Sequence, residues 1–402
     1  MIDILKYWFL KIAGLLGYII IYCYSRNGKS KIDYGIKNIE KSKKLIDTED
    51  KLLQLANDKV SIKIEKYCNN YISNIKYKFD YQPYDENKLK ILRNEYNLAE
   101  LVKPHEKEFD KFRALQNWIR EQWQYGRPRN VLRDYDTLDI LKRAKNGEKF
   151  WCSEYTVAFI QCALSLGYQA RYVALWKGHV VAEIWSNEYK KWVVMDPTFN
   201  IHFEKNGEPL NCLDLYNAFN NNQIDEIKVI EGDYKPDDIN INFGEHEFVG
   251  ISIKNYRYKT IDYYGDGFSI RMRNDWFTNS YPKLHPKGNI LMNSIAWNGS
   301  KHKIPVLKKT KKEEDIYFPL NVTLIGLEII ESNKLGFNVF LNTFTPNYSH
   351  FIVNIDEKEK KVETDNSILW MLHKGKNCFK AVSVNKFDIK GVSSYITLYV
   401  DN

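Results

Sequence analysis

Apolar positions change their spacing along this chain, and the changes mark elements. From Cys152 onward, Val157, Ile160, Cys162, Leu164 and Leu166 recur at helical spacing, with Ala158 and Ala163 between them. Gly167 follows the last of these, where a left-handed residue commonly closes a helix. The period then drops to two. His179-Val-Val-Ala-Glu-Ile-Trp185 places His179, Val181, Glu183 and Trp185 on one strand face, and Trp192–Asp196 reads as its hairpin partner through 186–191. Pro197 cannot donate to a sheet ladder and ends that strand. Upstream, Phe109–Tyr125 reads as a helix, whose apolar face also accommodates Trp118 and Trp123.

After Gly232 the pattern becomes strand-like. Runs at Glu247–Ile253, Phe268–Arg273, Leu324–Ile330, Gly336–Asn342, His350–Ile355, Ser367–Leu372, Cys378–Val384 and Ser394–Val400 are punctuated by Gly, Asn, Asp and Pro, as in a β-sandwich. Residues 26–100 are polar and lysine-rich. Leu45–Leu55 suggests a short amphipathic helix, and Ser61–Tyr81 alternates in places. The first residues differ from all of this. Tyr7–Tyr24 is nearly all apolar over 18 residues, near the lower limit for a bilayer span, and no small-residue cleavage pattern follows. The expectation is an uncleaved membrane anchor with the remainder on the extracytoplasmic side.

A length of 402 residues suits two or three domains, and 44% hydrophobic residues allow a sizeable core. The net charge of +8 is spread along the chain without an arginine cluster interleaved with aromatics, so a nucleic-acid partner is not expected. Six scattered cysteines show no metal-ligand spacing, and neither a metal nor a cofactor is expected. The segment Asp275–Tyr281 is aromatic and polar at once, and fits a loop packed on the β-rich region better than an exposed binding platform.

Three chemistry-bearing residues stand at element edges in one short stretch. Cys152 falls in the first turn of a helix, a place that favours thiolate. His179 follows 27 residues later and Asp196 another 17. A thiol, an imidazole and a carboxylate on separate neighbouring elements suit nucleophilic catalysis with an oriented base.

These residues resemble the transglutaminase-like superfamily, whose core is related to papain-type cysteine proteases. The resemblance lies in Trp151-Cys152 at a helix start, Gly167-Tyr-Gln-Ala-Arg171-Tyr-Val173, Gly178-His179 with Glu183, and Trp192-Val-Val-Met-Asp196-Pro197-Thr198. Asp139–Ala144 lies upstream, and the likeness covers about 106–219. It implies an α+β fold: a helix carrying the cysteine packed on an antiparallel sheet carrying the histidine and aspartate. It also implies Cys152 as nucleophile, His179 as general base and acid, and Asp196 as the group orienting His179. Animal transglutaminases carry a tryptophan just before the segment corresponding to Asp139-Ile140-Leu141, where its indole helps hold the oxyanion; 133–138 here has none. The donors would be the Cys152 amide and a side chain, with Trp123, Gln122 and Tyr135 as candidates.

The expected activity is acyl transfer from an amide through a thioester, on a protein, a peptide or an envelope component, with water or an amine acceptor completing it. A binding or scaffold protein with a degenerate core is the alternative. The expected division is an anchor at 1–25, a linker with an accessory element at 26–100, a catalytic domain at 101–235, a β-rich region at 245–323 and an immunoglobulin-like or fibronectin-like sandwich at 324–402.

Overall fold

The structure is a computed structural model describing residues 61–68, 82–129, 136–176, 178–233, 263–271, 294–298, 306, 308–330, 335–363 and 367–401. These residues fall into two compact units. The first is drawn from 82–312; the second combines strand β1 (Ser61–Cys68) with residues 313–401.

In the first unit, helices α1 (Asn87–Glu95), α2 (Leu98–Val102), α3 (Glu108–Glu121) and α4 (Thr137–Lys145) precede α5 (Cys152–Ser165). Strands β2 (Ala170–Leu175), β3 (His179–Ser186) and β4 (Lys191–Met195) follow as an antiparallel meander. Then come β5 (Ile201–Lys205), β6 (Glu208–Pro209), α6 (Cys212–Asn220), β7 (Lys228–Glu231), β8 (Phe268–Arg271), β9 (Ser294–Trp297) and β10 (Lys308–Thr310). The main sheet runs β10-β9-β8-β2-β3-β4, and β5, β6 and β7 form a small sheet of their own. Three strands from the stretch beyond 245 therefore extend the sheet that carries His179.

The alternation read from sequence explains how this sheet is covered. Ala170, Tyr172, Ala182, Ile184, Val193 and Met195 share a buried core with α5 and the helices around it. All but the first two residues of α5 are buried, so this helix is enclosed on every side and central to the layer. Its C-terminus closes as expected: Gly167 takes φ +90, Tyr168 N–H donates to the Ala163 carbonyl, and Gly167 N–H donates to that of Leu164. The expected helix over Phe109–Tyr125 stops at Glu121, and Tyr125 instead bridges to Phe150.

In the second unit, β11 (Thr323–Ile329), β12 (Gly336–Thr343), β13 (Tyr348–Ile355), β14 (Lys358–Val362), β15 (Ile368–Met371), β16 (Gly375–Asn385) and β17 (Ser394–Asp401) form two antiparallel sheets. Their orders are β1-β17-β16-β13-β14 and β11-β12-β15. Inward residues of both, such as Ile325, Phe337 and Trp370 from one and Phe351, Phe379 and Leu398 from the other, make one core. Sequence patterning missed β14, because Lys358-Glu-Lys-Lys-Val362 is a charged edge strand with no apolar alternation.

One expectation is corrected. Among the described residues no helix is long and apolar enough to cross a membrane, which overturns the membrane-anchored, extracytoplasmic placement and the membrane as a partner. The longest described helices, α3 and α5, have 14 residues each; about 21 Å of helix falls short of a hydrocarbon core of about 30 Å. The stretch Tyr7–Tyr24 lies outside the described residues, as do Leu45–Leu55, Glu247–Ile253 and Asp275–Tyr281.

Candidate active site

Cys152 is the first residue of α5 and is half-buried. The start of this helix is fixed by Glu154, whose buried carboxylate accepts the Trp151 backbone N–H at 3.1 Å and the Ser153 hydroxyl at 2.7 Å. One turn on, Thr156 Oγ1 donates to the Val180 carbonyl at 3.1 Å, which ties the cysteine-bearing helix to the residue after His179.

Asp196 directly follows β4 and enters a tight turn. Its own backbone exchanges two hydrogen bonds with Ile201, and Asn200 takes φ +55 to close the turn. The carboxylate is divided between two tasks. Oδ1 accepts the N–H groups of Thr198 and Phe199 at 3.0 and 3.3 Å, while Oδ2 meets His179 Nε2 at 2.7 Å. The aspartate is thus oriented by its own turn before it orients the ring.

His179 opens β3 and is 5% exposed. Burial alone would lower its pKa. The charge and hydrogen bond of Asp196, followed by a hydrogen bond and charge from Cys152, outweigh that effect and raise it to about 10. With Nε2 committed to Asp196, the bond to Cys152 falls to Nδ1. Phe199 and Tyr263 pack against the imidazole, with ring centroids at 5.1 and 5.8 Å. Cys152 and Asp196 therefore both act on the one imidazole, the aspartate through its 2.7 Å hydrogen bond. A proton can pass between sulfur and imidazole while the carboxylate holds the ring.

The other side chains singled out in the sequence lie elsewhere. Trp123 is buried in the core, edge-on to Phe150 at 5.5 Å and tilted against Tyr155 at 4.5 Å. Its carbonyl accepts the Tyr155 hydroxyl at 2.6 Å and Arg120 Nη1 at 3.0 Å. Gln122 turns back along α3 and donates to the Trp118 carbonyl at 2.7 Å. Tyr135 lies outside the described residues.

Several residues around the site were missed. Phe199 stands three positions beyond Asp196, just past the proline that ends the strand. Tyr125 was read as the end of a helix, and its bridge to Phe150 has no local signature. Tyr263 lies 67 residues past Asp196, and only tertiary folding brings it to the imidazole.

Behind the site, Arg171 and Glu183 are paired across β2 and β3 with both side chains fully buried. Arg171 Nε and Nη2 donate to Glu183 Oε2 at 2.9 and 2.7 Å, and the guanidinium lies 4.0 Å from the Trp192 ring centroid. Glu183 Oε1 accepts the Cys212 N–H at 2.9 Å, so α6 is docked through its first residue onto the sheet. Three residues of the sequence motif are thus consumed in one buried network.

Residues 97–197 match the transglutaminase-like superfamily. A stretch of 67 residues is 38% identical to the peptide-N(4)-(N-acetyl-beta-glucosaminyl)asparagine amidase of Gallus gallus, covering 17% of this chain and 10% of that protein. The chain therefore spans about a tenth of the length of that relative. Residues 97–197 carry a transglutaminase-like domain.

Proposed function

We propose that this chain is a cysteine amidase that cleaves a carboxamide in a protein or peptide through a thioester. The observation that carries this reading is the 2.7 Å contact between His179 Nε2 and Asp196 Oδ2, with the imidazole also bonded to Cys152 and holding its proton to about pH 10. Cys152 sulfur adds to the carbonyl carbon as the carbonyl pair moves to oxygen. Collapse of the adduct breaks the C–N bond, and His179 gives its proton to the departing nitrogen. Water then loses a proton to His179 and attacks the thioester; collapse of that adduct releases the acid and returns the Cys152 thiolate to its pairing with the protonated His179.

Hydrolysis is favoured over crosslinking because a hydrolase needs only water, whereas transfer needs a second site for an amine. The name of the chicken relative, an asparagine amidase, supports the same class. A papain-like arrangement of α5 on β2–β4 and a sandwich formed by the second unit complete this reading.

The test is mass spectrometry of peptide libraries, with and without added amines, scored separately for cleavage, ammonia loss and amine incorporation. Cleavage or deamidation that disappears in Cys152→Ala supports the proposal. Activity surviving both Cys152→Ala and His179→Ala, or none in the native chain, would leave the scaffold alternative. Amine incorporation outrunning hydrolysis would make the protein a transferase.

A further inference from the structure

The tetrahedral adduct calls for a second donor besides the Cys152 amide, and the Gln122 amide is already spent on the Trp118 carbonyl. Tyr125 stands in a different position. It forms a parallel bridge with Phe150, reinforced by Gly126 N–H donating to the Phe150 carbonyl at 3.0 Å. Phe150 is two residues before Cys152. Bridged strands lie about 4.8 Å apart and two residues span at most about 7 Å, which bounds the Cα separation of Tyr125 and Cys152 at roughly 12 Å. A tyrosine reaching from one side and an acyl group held on sulfur from the other close that interval.

Trp123, two residues earlier, packs on Phe150 and on Tyr155 of the first turns of α5, so this stretch of chain lies against the start of the cysteine-bearing helix. Tyr125 packs against the same core. Burial, and then the charges of Cys152 and Tyr263, hold its hydroxyl well above the usual phenol range. It therefore keeps its proton wherever the Cys152–His179 pair operates, within range of the charge of that cysteine. Arg120 and Tyr155 fix this arm: Arg120 Nη1 donates to the Tyr155 hydroxyl at 2.9 Å, and both groups bind the Trp123 carbonyl.

We infer that Tyr125 is a catalytic residue whose hydroxyl donates to the oxyanion formed when Cys152 attacks the amide carbonyl. The inference rests on the amidase reading above. No proton is transferred: as the C–S bond forms, the O–H binds the new oxyanion, and it lets go when the C=O bond returns and the amine leaves.

Short peptide aldehydes test this without a known substrate, since their hemithioacetal with Cys152 carries the same oxygen. Tyr125→Phe should weaken aldehyde binding by about 10²-fold, and lower kcat on any peptide turned over by a similar factor with KM little changed. Alkylation of Cys152 by iodoacetamide, which develops no oxyanion, should proceed at the native rate. Should Tyr125→Phe fail to fold, 3,5-difluorotyrosine at position 125 keeps the shape and strengthens the donor, and aldehyde binding should tighten severalfold. Native aldehyde affinity in Tyr125→Phe, or an indifferent fluorinated chain, overturns the role of the tyrosine while leaving the amidase reading intact. A native chain whose Cys152 takes neither aldehyde nor iodoacetamide removes both.

Discussion

His179 is a buried imidazole that keeps its proton because Asp196 and Cys152 surround it. Two expectations follow at the scale of single residues. Asp196→Asn should lower turnover by about 10²–10⁴-fold, because the amide no longer favours the protonated ring; steady-state rates on the best library peptide measure this. The raised value is also a stability statement. A histidine whose folded pKa is about 10, against an ordinary 6.5, stabilises the folded chain fully below about pH 6.5. That stabilisation is lost as pH rises through about 10. The melting temperature should therefore fall across this window in the native chain, and the slope should flatten in Asp196→Asn. A native profile no steeper than the variant's would contradict the assigned charge state. Burial also raises the thiols of Cys162 and Cys212 well above the ordinary range, so labelling near neutral pH should leave them unmodified.

At the scale of elements, α5 begins where it does because Glu154 satisfies the Trp151 N–H. The indole of Trp151 has no acceptor to offer in return, so the carboxylate acts by itself. Glu154→Ala should cost about 1–3 kcal/mol by leaving that amide unpaired, whereas Glu154→Gln should recover most of the loss in thermal melts. The register of β2 on β3 depends on a different kind of contact. Glu183→Leu strands the Arg171 guanidinium in the sheet, and about 3–5 kcal/mol of destabilisation is expected. The double variant Arg171→Met with Glu183→Leu should be far less affected. A double variant as unstable as the single one would mean that the pair itself, rather than its completeness, holds the strands.

For the whole molecule, the two units draw on the chain differently. The first is continuous in sequence over its described residues, but the second takes its edge strand from Ser61–Cys68, paired along β17 from Ser61 opposite Asp401 to Cys68 opposite Tyr395. A fragment of 313–402 should therefore melt at lower temperature than the same fragment mixed with a peptide of 61–68. If the peptide changes nothing, β1 is dispensable. Within this unit, a Cβ at Gly391 would lie 1.8 Å from the Asn321 carbonyl oxygen, so Gly391→Ala should destabilise by about 1–3 kcal/mol or more.

The sequence by itself determined the periodic elements and the three reactive groups. Helical spacing after Cys152 and alternation around His179 and Asp196 are local signals, and local backbone preference with burial on one face was enough to decode them. Most strands of the second unit were legible for the same reason. Tertiary structure alone decided which strands share a sheet: β8, β9 and β10 join the sheet that carries His179, and β1 joins the far end of the chain. It also decided which aromatic rings line the site. Trp123 and Tyr125 are two residues apart and chemically alike to a sequence reader, yet one is buried within the core and the other is only partly buried against it, bridged to Phe150. Pairing between distant segments depends on the energy of the assembled core, and no window along the chain contains both partners.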